Sequence, residues 1–223
     1  MSRLFVVATP IGNLEDVSAR ALRVLSEVGA IAAEDTRVTA RLLTRHSIRK
    51  PMISYRAPVE RRGLPRVMAA LDDGDVALVS DAGTPTLSDP GAQLVSAAWA
   101  AGHTVVPIPG PSAIASALSV AGYGGPGFTF VGYLPRKPGD IRRLLRALAD
   151  ETRSTVAFES PYRARKSLGL IEEVLPERPL TLARELTKLH EQVLRGTAAE
   201  VAAALGEKVR GEITLVISGN SKD

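Results

Sequence analysis

The sequence contains no cysteine and only three histidines, His46, His103 and His190, which lie far apart in the chain. The lack of cysteine excludes a disulfide framework, a thiolate metal site and a cysteine nucleophile. Three scattered histidines give no basis for a histidine-ligated metal, so we expect no metal site. A chain of this kind is typical of the cytoplasm, which we take as its expected location.

Long apolar runs are also missing. No run approaches the roughly 18 residues that cross a bilayer, so we expect no membrane segment. The start of the chain, Met1 to Ala8, lacks the layout of a signal peptide and predicts a first strand. The 223 residues are 45% hydrophobic and 23% charged, which is ordinary for a globular protein and allows one large or two small domains.

Aromatic residues are scarce at 4%, whereas basic residues are clustered. Between Arg37 and Arg66, nine basic residues face one acidic residue, Glu60, and a second cluster runs from Arg136 to Arg146. Clustered arginine indicates a phosphate-rich partner such as nucleic acid, although a solvated basic surface would give the same pattern. Only Tyr55 and Tyr133 stand beside these clusters as possible stacking platforms for bases.

Short apolar runs alternate with amphipathic segments through the first half of the chain, and the second half is richer in strands. This alternation predicts an α/β fold with a parallel sheet in an N-terminal domain and a mixed sheet in a C-terminal domain. The proline-rich stretch from Pro107 to Pro111 is the best linker, so we place the domains at residues 1–110 and 111–223. Asp16 and Asp89 are the predicted N-caps of the helices that follow the first and fourth strands.

The common nucleotide and hydrolase motifs are absent. The loop after the first strand, Thr9 to Leu14, has a single glycine, so a pyrophosphate-binding fingerprint is not expected there. Glu34 lies 22 residues beyond Gly12, a spacing that keeps a dinucleotide-binding interpretation open. No Walker lysine loop, zinc-binding His-Glu pattern or nucleophile elbow is present.

The sharper signal comes from loops that follow predicted strands, where parallel sheets place their ligands. They are Thr9 to Leu14, Glu34 to Arg37, Asp81 to Pro85, Pro109 to Ala113, Phe158 to Ser160 and Ala183 to Lys188. Together they resemble the tetrapyrrole-methylase-like superfamily of S-adenosylmethionine enzymes, and most closely its ribosomal RNA branch. The resemblance extends from about Leu4 to Gly219. Its one departure from the tetrapyrrole enzymes is the glycine-poor first loop, which counts against a porphyrin substrate.

The resemblance implies a two-domain α/β enzyme, a homodimer, that binds S-adenosylmethionine in the cleft between its domains. By position it implies cofactor contacts at Pro10, Asp81, Ala82, Gly83, Thr84, Leu87, Ser112, Ala113, Phe158, Ala183 and Thr214. Such a cofactor requires an apolar wall and backbone hydrogen bonds, and the small residues among these positions allow close backbone approach.

Methyl transfer to a ribose hydroxyl requires alignment of the reactants and loss of the hydroxyl proton. The candidate bases are Glu34, Asp35 and Glu185, and Lys188 or Arg184 could stabilise developing negative charge. For each carboxylate, a helix cap or an ion pair with a nearby arginine is the alternative role.

The arginines at 37, 41 and 45 recur every four residues and so share one helix face; with Arg61 and Arg62 they are the predicted RNA-binding residues. We therefore expect a methyltransferase that acts on the ribose 2′-hydroxyl of a cytidine in small-subunit (16S) ribosomal RNA, either naked or in the assembled subunit. Two alternatives stay open: a methyltransferase for a tetrapyrrole or other small acidic substrate, and a non-catalytic RNA-binding ribosome factor.

Overall fold

The computed structural model describes residues 1–57 and 60–220, without the side chains of Glu60 and Arg61. The chain forms two compact units, Met1–Ser112 and Ala113–Asp223. Each unit is built on its own five-stranded sheet.

The sheet of the first unit is entirely parallel, with strand order β3-β2-β4-β1-β5. Its strands are β1 (Arg3–Val7), β2 (Ala30–Ala33), β3 (Met52–Ser54), β4 (Val76–Val79) and β5 (Thr104–Ile108). All four residues of β2 and of β4 are buried, because helices cover both faces of a parallel sheet. The predicted parallel N-terminal sheet is confirmed.

Four helices pack on this sheet: α1 (Ala19–Glu27), α2 (Thr36–Arg45), α3 (Glu60–Asp73) and α4 (Ala92–Ala100). One face of the sheet packs with α1 and α2 residues such as Leu25 and Leu42, and the other with α3 and α4 residues such as Leu71 and Leu94. The amphipathic spacing of apolar residues in the sequence predicts these helices.

Two predicted helix caps are wrong. A short 3-10 helix occupies Leu14–Asp16, and α1 is capped instead by Ser18, whose Oγ accepts the Ala21 N–H at 3.1 Å. Asp89 does not cap α4, because the chain continues to Gly91, which has φ of 129° and makes no side-chain cap. The turn at Gly91 requires glycine, since a Cβ there would lie 2.7 Å from Cδ2 of Leu78.

The second unit has a mixed sheet with strand order β6-β7-β10-β8-β9. Its strands are β6 (Phe128–Tyr133), β7 (Ser154–Glu159), β8 (Leu180–Arg184), β9 (Gln192–Gly196) and β10 (Ile213–Ile217). β6 and β7 are parallel, whereas β10 runs antiparallel to both of its neighbours and β9 antiparallel to β8. The predicted mixed C-terminal sheet is confirmed.

The helices of this unit are α5 (Ala113–Ala121), α6 (Pro138–Ala147), α7 (Ala164–Val174) and α8 (Ala198–Ala204). Alternate strand residues face opposite sides of the sheet. Leu182 and Leu215 join the large core formed with α6, α7 and α8, whereas Val156 and Ala183 pack against α5. Within the described residues, no helix has the length and apolarity needed to span a bilayer.

Candidate active site

In the first unit, three loops meet at the carboxyl ends of β1, β4 and β5. Thr9 and Gly83 exchange backbone hydrogen bonds of 2.9 and 3.0 Å, which join the loops after β1 and β4. The Thr9 hydroxyl also donates to the carbonyl of Ser80 at 3.1 Å, and that of Thr84 donates to the carbonyl of Pro111 at 3.4 Å. These bonds hold together the loops where an open parallel sheet binds its ligands.

The cofactor residues predicted in this unit lie on those loops. Pro10 and Gly83 are buried, Ala82 and Thr84 are half-buried, and Leu87 is 43% exposed, a high value for so large an apolar side chain. Ser112 ends this unit and Ala113 begins α5 of the second. Small residues and an uncovered leucine are what an apolar, backbone-recognised ligand requires, so these residues fit the adenosine portion of the predicted cofactor.

Backbone strain is concentrated in the predicted loop after β8 and in the segment that directly follows the predicted Asp81–Pro85 loop. Among the described residues other than glycine, positive φ occurs at Thr86, Ser88, Glu185 and Thr187, and otherwise at Ser47. Thr86 and Ser88 flank Leu87, and Glu185 and Thr187 lie in the loop after β8. Such conformations cost about 1–3 kcal/mol each and cluster at functional sites.

Glu34 and Asp81 fix the loops after β2 and β4 to each other. Glu34 Oε2 accepts the Asp81 N–H at 3.2 Å, and Asp81 Oδ1 accepts the Asp35 N–H at 2.9 Å. Burial raises the pKa of Glu34, and the nearby carboxylates of Asp81, Asp89 and Asp35 add to the effect. Of the three candidate bases, Glu34 is therefore the one with the greatest tendency to hold a proton.

Asp35 has a different role in the structure. Its carboxylate accepts the Arg37 N–H at 2.8 Å as the N-cap of α2 and forms an ion pair of 2.6 Å with the Arg37 guanidinium. The Arg37 side chain holds the pKa of Asp35 well below its usual range. These contacts favour the capping role over proton acceptance.

In the second unit, three predicted cofactor residues lie in one row across the sheet. Thr214 of β10 pairs with Phe158 of β7 on one side and with Ala183 of β8 on the other. Phe158 contacts Phe130 and Tyr133 edge to face, with ring centroids 5.0 and 5.6 Å apart. Ala183 and Thr214 are buried, whereas Phe158 is half-buried. The Phe158 ring and the small Ala183 fit the apolar wall expected for the cofactor.

Glu185 and Lys188 form an ion pair just beyond β8. Lys188 Nζ lies 2.8 Å from Glu185 Oε1 and 2.9 Å from Glu212 Oε2, and Glu185 also accepts the Glu212 N–H at 3.0 Å. The hydrogen bond from Lys188 lowers the pKa of Glu185. Burial lowers the pKa of Lys188, but its two carboxylate partners outweigh burial and raise it. The pair is therefore charged at neutral pH.

Sequence reasoning predicted no contact of Glu212 with Lys188 and assigned no role to Glu159; Glu212 follows Gly211 and directly precedes β10. The Glu159 side chain is fully buried, 2.5 Å from the Arg163 guanidinium, and accepts hydrogen bonds from the Ser160 N–H and the Ser167 hydroxyl. Arg163 in turn donates to the carbonyls of Leu134 and Pro135 at 3.2 and 3.0 Å. A glutamate that ends an apolar strand is the only sequence signal for this network.

The predicted RNA-binding face lies on α2. Arg37, Arg41 and Arg45 are exposed, opposite the buried Thr39, Leu42 and Leu43 of the same helix. Arg62 of α3 is exposed too, whereas the Arg61 side chain lies outside the described residues. Tyr55 is completely buried, so its predicted stacking role is wrong, while Tyr133 is 60% exposed.

The fold has close counterparts among solved structures. The methyltransferase CobJ superposes with a TM-score of 0.71 at 18% identity, covering 98% of this chain and 95% of its own. The cobalt precorrin-4 methyltransferase CbiF gives 0.70 at 13% identity, covering 97% of this chain and 94% of its own. The fold is thus that of two-sheet α/β methyltransferases.

Sequence comparison is more specific. The family model described as "Tetrapyrrole (Corrin/Porphyrin) Methylases" matches residues 3–202. A Thermotoga maritima protein named "Ribosomal RNA small subunit methyltransferase I" is 45% identical over 221 residues, which is 98% of this chain and 99% of the relative. Its Bacillus subtilis namesake is 40% identical and covers all of this chain and 77% of its own. The chain belongs to the tetrapyrrole methylase family, in its branch of ribosomal RNA small subunit methyltransferases I.

Proposed function

We propose that this protein transfers a methyl group from S-adenosylmethionine to the ribose 2′-hydroxyl of a cytidine in small-subunit (16S) ribosomal RNA. The observation that carries the proposal is the 45% identity, over nearly the whole of both chains, to a relative named for small-subunit ribosomal RNA methylation. The loops of both units support it, because each unit presents residues that suit the cofactor.

The cofactor would supply a methyl group made electrophilic by its sulfonium centre. In the first unit, Ala82, Gly83 and Thr84 would contact the adenosine through backbone groups, and Leu87 would cover it. In the second unit, Phe158, Ala183 and Thr214 would provide the apolar wall. Pro10, Asp81, Ser112 and Ala113 complete the proposed set. Neither set contains a cationic side chain that would repel the sulfonium.

The remaining task is to remove the proton of the ribose hydroxyl as its oxygen attacks. Glu34 is our proposed proton acceptor on the basis of its raised pKa. Lys188, held by Glu185 and Glu212, would stabilise the negative charge that develops on the oxygen. Glu185 therefore acts by positioning Lys188, and Asp35 acts by capping α2 and orienting Arg37.

RNA binding would involve the arginine face of α2 together with Arg61 and Arg62. These side chains would hold phosphates and position the RNA without reading its bases. We also propose that the protein works as a homodimer in the cytoplasm, which analytical ultracentrifugation and fractionation of cells would test.

The decisive experiment is transfer of a radiolabelled methyl group from S-adenosylmethionine to small ribosomal subunits that lack their native modifications. The RNA is then digested with alkali, because a 2′-O-methyl group blocks cleavage at its own phosphodiester. We expect the label in an alkali-resistant dinucleotide that contains the uncleaved phosphodiester. Label in mononucleotides would identify a base methylase, and binding of the cofactor without any transfer to RNA would favour a small acidic substrate.

A further inference from the structure

Tyr162 is 94% exposed on the turn between β7 and α7. The turn itself is well fixed, because the N–H groups of Arg163 and Ala164 both donate to the carbonyl of Ser160 at 3.0 Å. Arg163 is held further by its ion pair with the buried Glu159. The structure therefore presents an aromatic ring to solvent from a rigid backbone, and the ring contributes almost nothing to the core.

The ring lines a surface groove with a volume of about 690 Å³, which we call the Tyr162 groove. Its charged lining residues are Arg165, Lys208 and Arg210, against a single carboxylate, Glu207. Three cations and one anion give the groove a positive charge. All four of these residues are exposed.

Two arginine-to-carbonyl contacts hold the loop that carries Lys208 and Arg210. At one end Arg165 Nε donates to the carbonyl of Gly206 at 2.9 Å, and at the other Arg184 Nη1 donates to the carbonyl of Arg210 at 3.1 Å. The backbone that carries Lys208 and Arg210 is therefore fixed at both ends of the loop. A preformed surface loses less conformational entropy when it binds a ligand.

The Tyr162 groove adjoins the Glu185–Lys188 pair. Gly211 lines the groove, and the side chain of Glu185 lies directly against the Gly211 α-carbon. The next residue, Glu212, contacts both Glu185 and Lys188. A ligand in the groove would thus lie beside the side chains to which we assign stabilisation of the reacting oxygen.

An exposed aromatic ring flanked by cations is the chemistry that recognises single-stranded nucleic acid, because bases stack on the ring while arginine and lysine hold the phosphates. We propose that the Tyr162 groove binds an unpaired segment of the RNA substrate, with a base stacked on Tyr162 and adjacent phosphates held by Lys208 and Arg210. This inference rests on the proposed function and adds to it a second RNA contact, separate from α2, for nucleotides that flank the target.

The test measures RNA affinity, cofactor affinity and methyl transfer in parallel for Tyr162→Ala, Tyr162→Phe and the full-length wild type. The RNA probes are unmodified small-subunit ribosomal RNA, assembled small subunits that lack their native modifications, and a single-stranded fragment that contains the methylated nucleotide. We expect Tyr162→Ala to bind RNA about tenfold more weakly, the effect of losing one stacked base, and to raise KM for RNA with S-adenosylmethionine affinity unchanged. Tyr162→Phe keeps the ring and should bind like the wild type.

The matched control is Trp99→Ala, which removes another exposed aromatic side chain, 60% exposed on α4 of the first unit. It should leave RNA affinity unchanged. The charges are tested by Lys208→Ala combined with Arg210→Ala, which should reduce the slope of log affinity against log salt by about 1.4, the value for two lost phosphate contacts to a single strand. Arg20→Ala with Arg23→Ala, on α1, is the charge-matched control.

The outcomes separate this proposal from the proposed function. If the wild type methylates ribosomal RNA and Tyr162→Ala binds and methylates it equally well, the groove is not an RNA site, although the function stands. The wild type could instead bind RNA without methylating it, with affinity reduced by Tyr162→Ala but not by Tyr162→Phe. The groove would then be an RNA site, and the proposed function would be wrong. A defect seen only with assembled subunits, and never with naked RNA, would indicate contact with a ribosomal protein and overturn the proposal.

Discussion

Glu185 packs its side chain on the α-carbon of Gly211, 26 positions along the chain, and this contact leaves no room for a Cβ. Gly211 also has φ of 86°, a backbone conformation that residues other than glycine rarely adopt. We therefore expect Gly211→Ala to reduce the free energy of unfolding by about 1–3 kcal/mol and to displace Glu185 from Lys188, with loss of turnover. Urea denaturation and the methyl-transfer assay measure the two effects. Gly139→Ala is the control, since a Cβ there meets nothing within 4 Å; equal behaviour of the two variants would contradict the packing argument.

Replacing Glu185 by glutamine should lower turnover far more than cofactor affinity. The amide keeps the side chain's size but removes the negative charge that holds Lys188 at 2.8 Å, so the ammonium is less well positioned to stabilise developing charge. We expect a loss of about 10²-fold in kcat, comparable to losing one preorganised electrostatic contact. Calorimetric titration with S-adenosylmethionine provides the second readout. Parallel losses in kcat and in cofactor affinity would rule out the assignment, and Glu172→Gln on the exposed side of α7 should change neither.

Glu34→Gln should separate stability from activity. Because burial raises the pKa of Glu34, its folded-state pKa lies above its unfolded one, so its contribution to stability is full at low pH and is lost as the pH rises through the folded pKa. Glutamine retains an oxygen for the Asp81 N–H and carries no charge. The variant should therefore unfold at the same temperature as the wild type, or higher, at pH 7–8.

The same variant should lose about 10²-fold or more in turnover, the usual contribution of a general base. The wild-type rate should rise with pH as Glu34 loses its proton, and that rise should be absent from the residual activity of Glu34→Gln. Full activity of Glu34→Gln would show that Glu34 is not the proton acceptor.

Sequence pattern predicted the two sheets because burial on both faces imposes continuous apolar runs such as Val76–Val79. It also predicted that the loops after β1, β4 and β5 share one edge of the sheet, and hydrogen bonds in the structure join these loops. Helix caps were less predictable. Asp16 and Ser18 are both residues that favour the N-cap position, and Ser18 caps α1 because Asp16 belongs to the short 3-10 helix Leu14–Asp16. Contacts between distant residues, such as Glu185 with Glu212, depend on strand pairing that no local pattern encodes.

Reversal of charge on α2 tests the RNA-binding face. Arg41→Glu combined with Arg45→Glu places two repelling charges where we propose that phosphates bind, so RNA affinity should fall steeply and most strongly at low salt. Both side chains are exposed, which makes unfolding of the variant unexpected. Arg20→Glu with Arg23→Glu applies the same change of charge to α1 and should affect binding much less. Unchanged affinity in the α2 variant would exclude this face as the RNA site.

The carboxylate of Glu159 is fully buried, and its partners Arg163, Ser160 and Ser167 all lie in the second unit. Glu159→Ala would leave the Arg163 guanidinium without its anion and the N–H of Ser160 without an acceptor. Breaking such a buried pair costs about 3–5 kcal/mol, so we expect a loss of that order in the free energy of unfolding. It should also loosen the carbonyls of Leu134 and Pro135, which Arg163 binds. Hydrogen exchange should become faster around residues 134–137 and in the turn that carries Tyr162. If exchange there is unchanged while global stability falls, the network stabilises the core without positioning either segment.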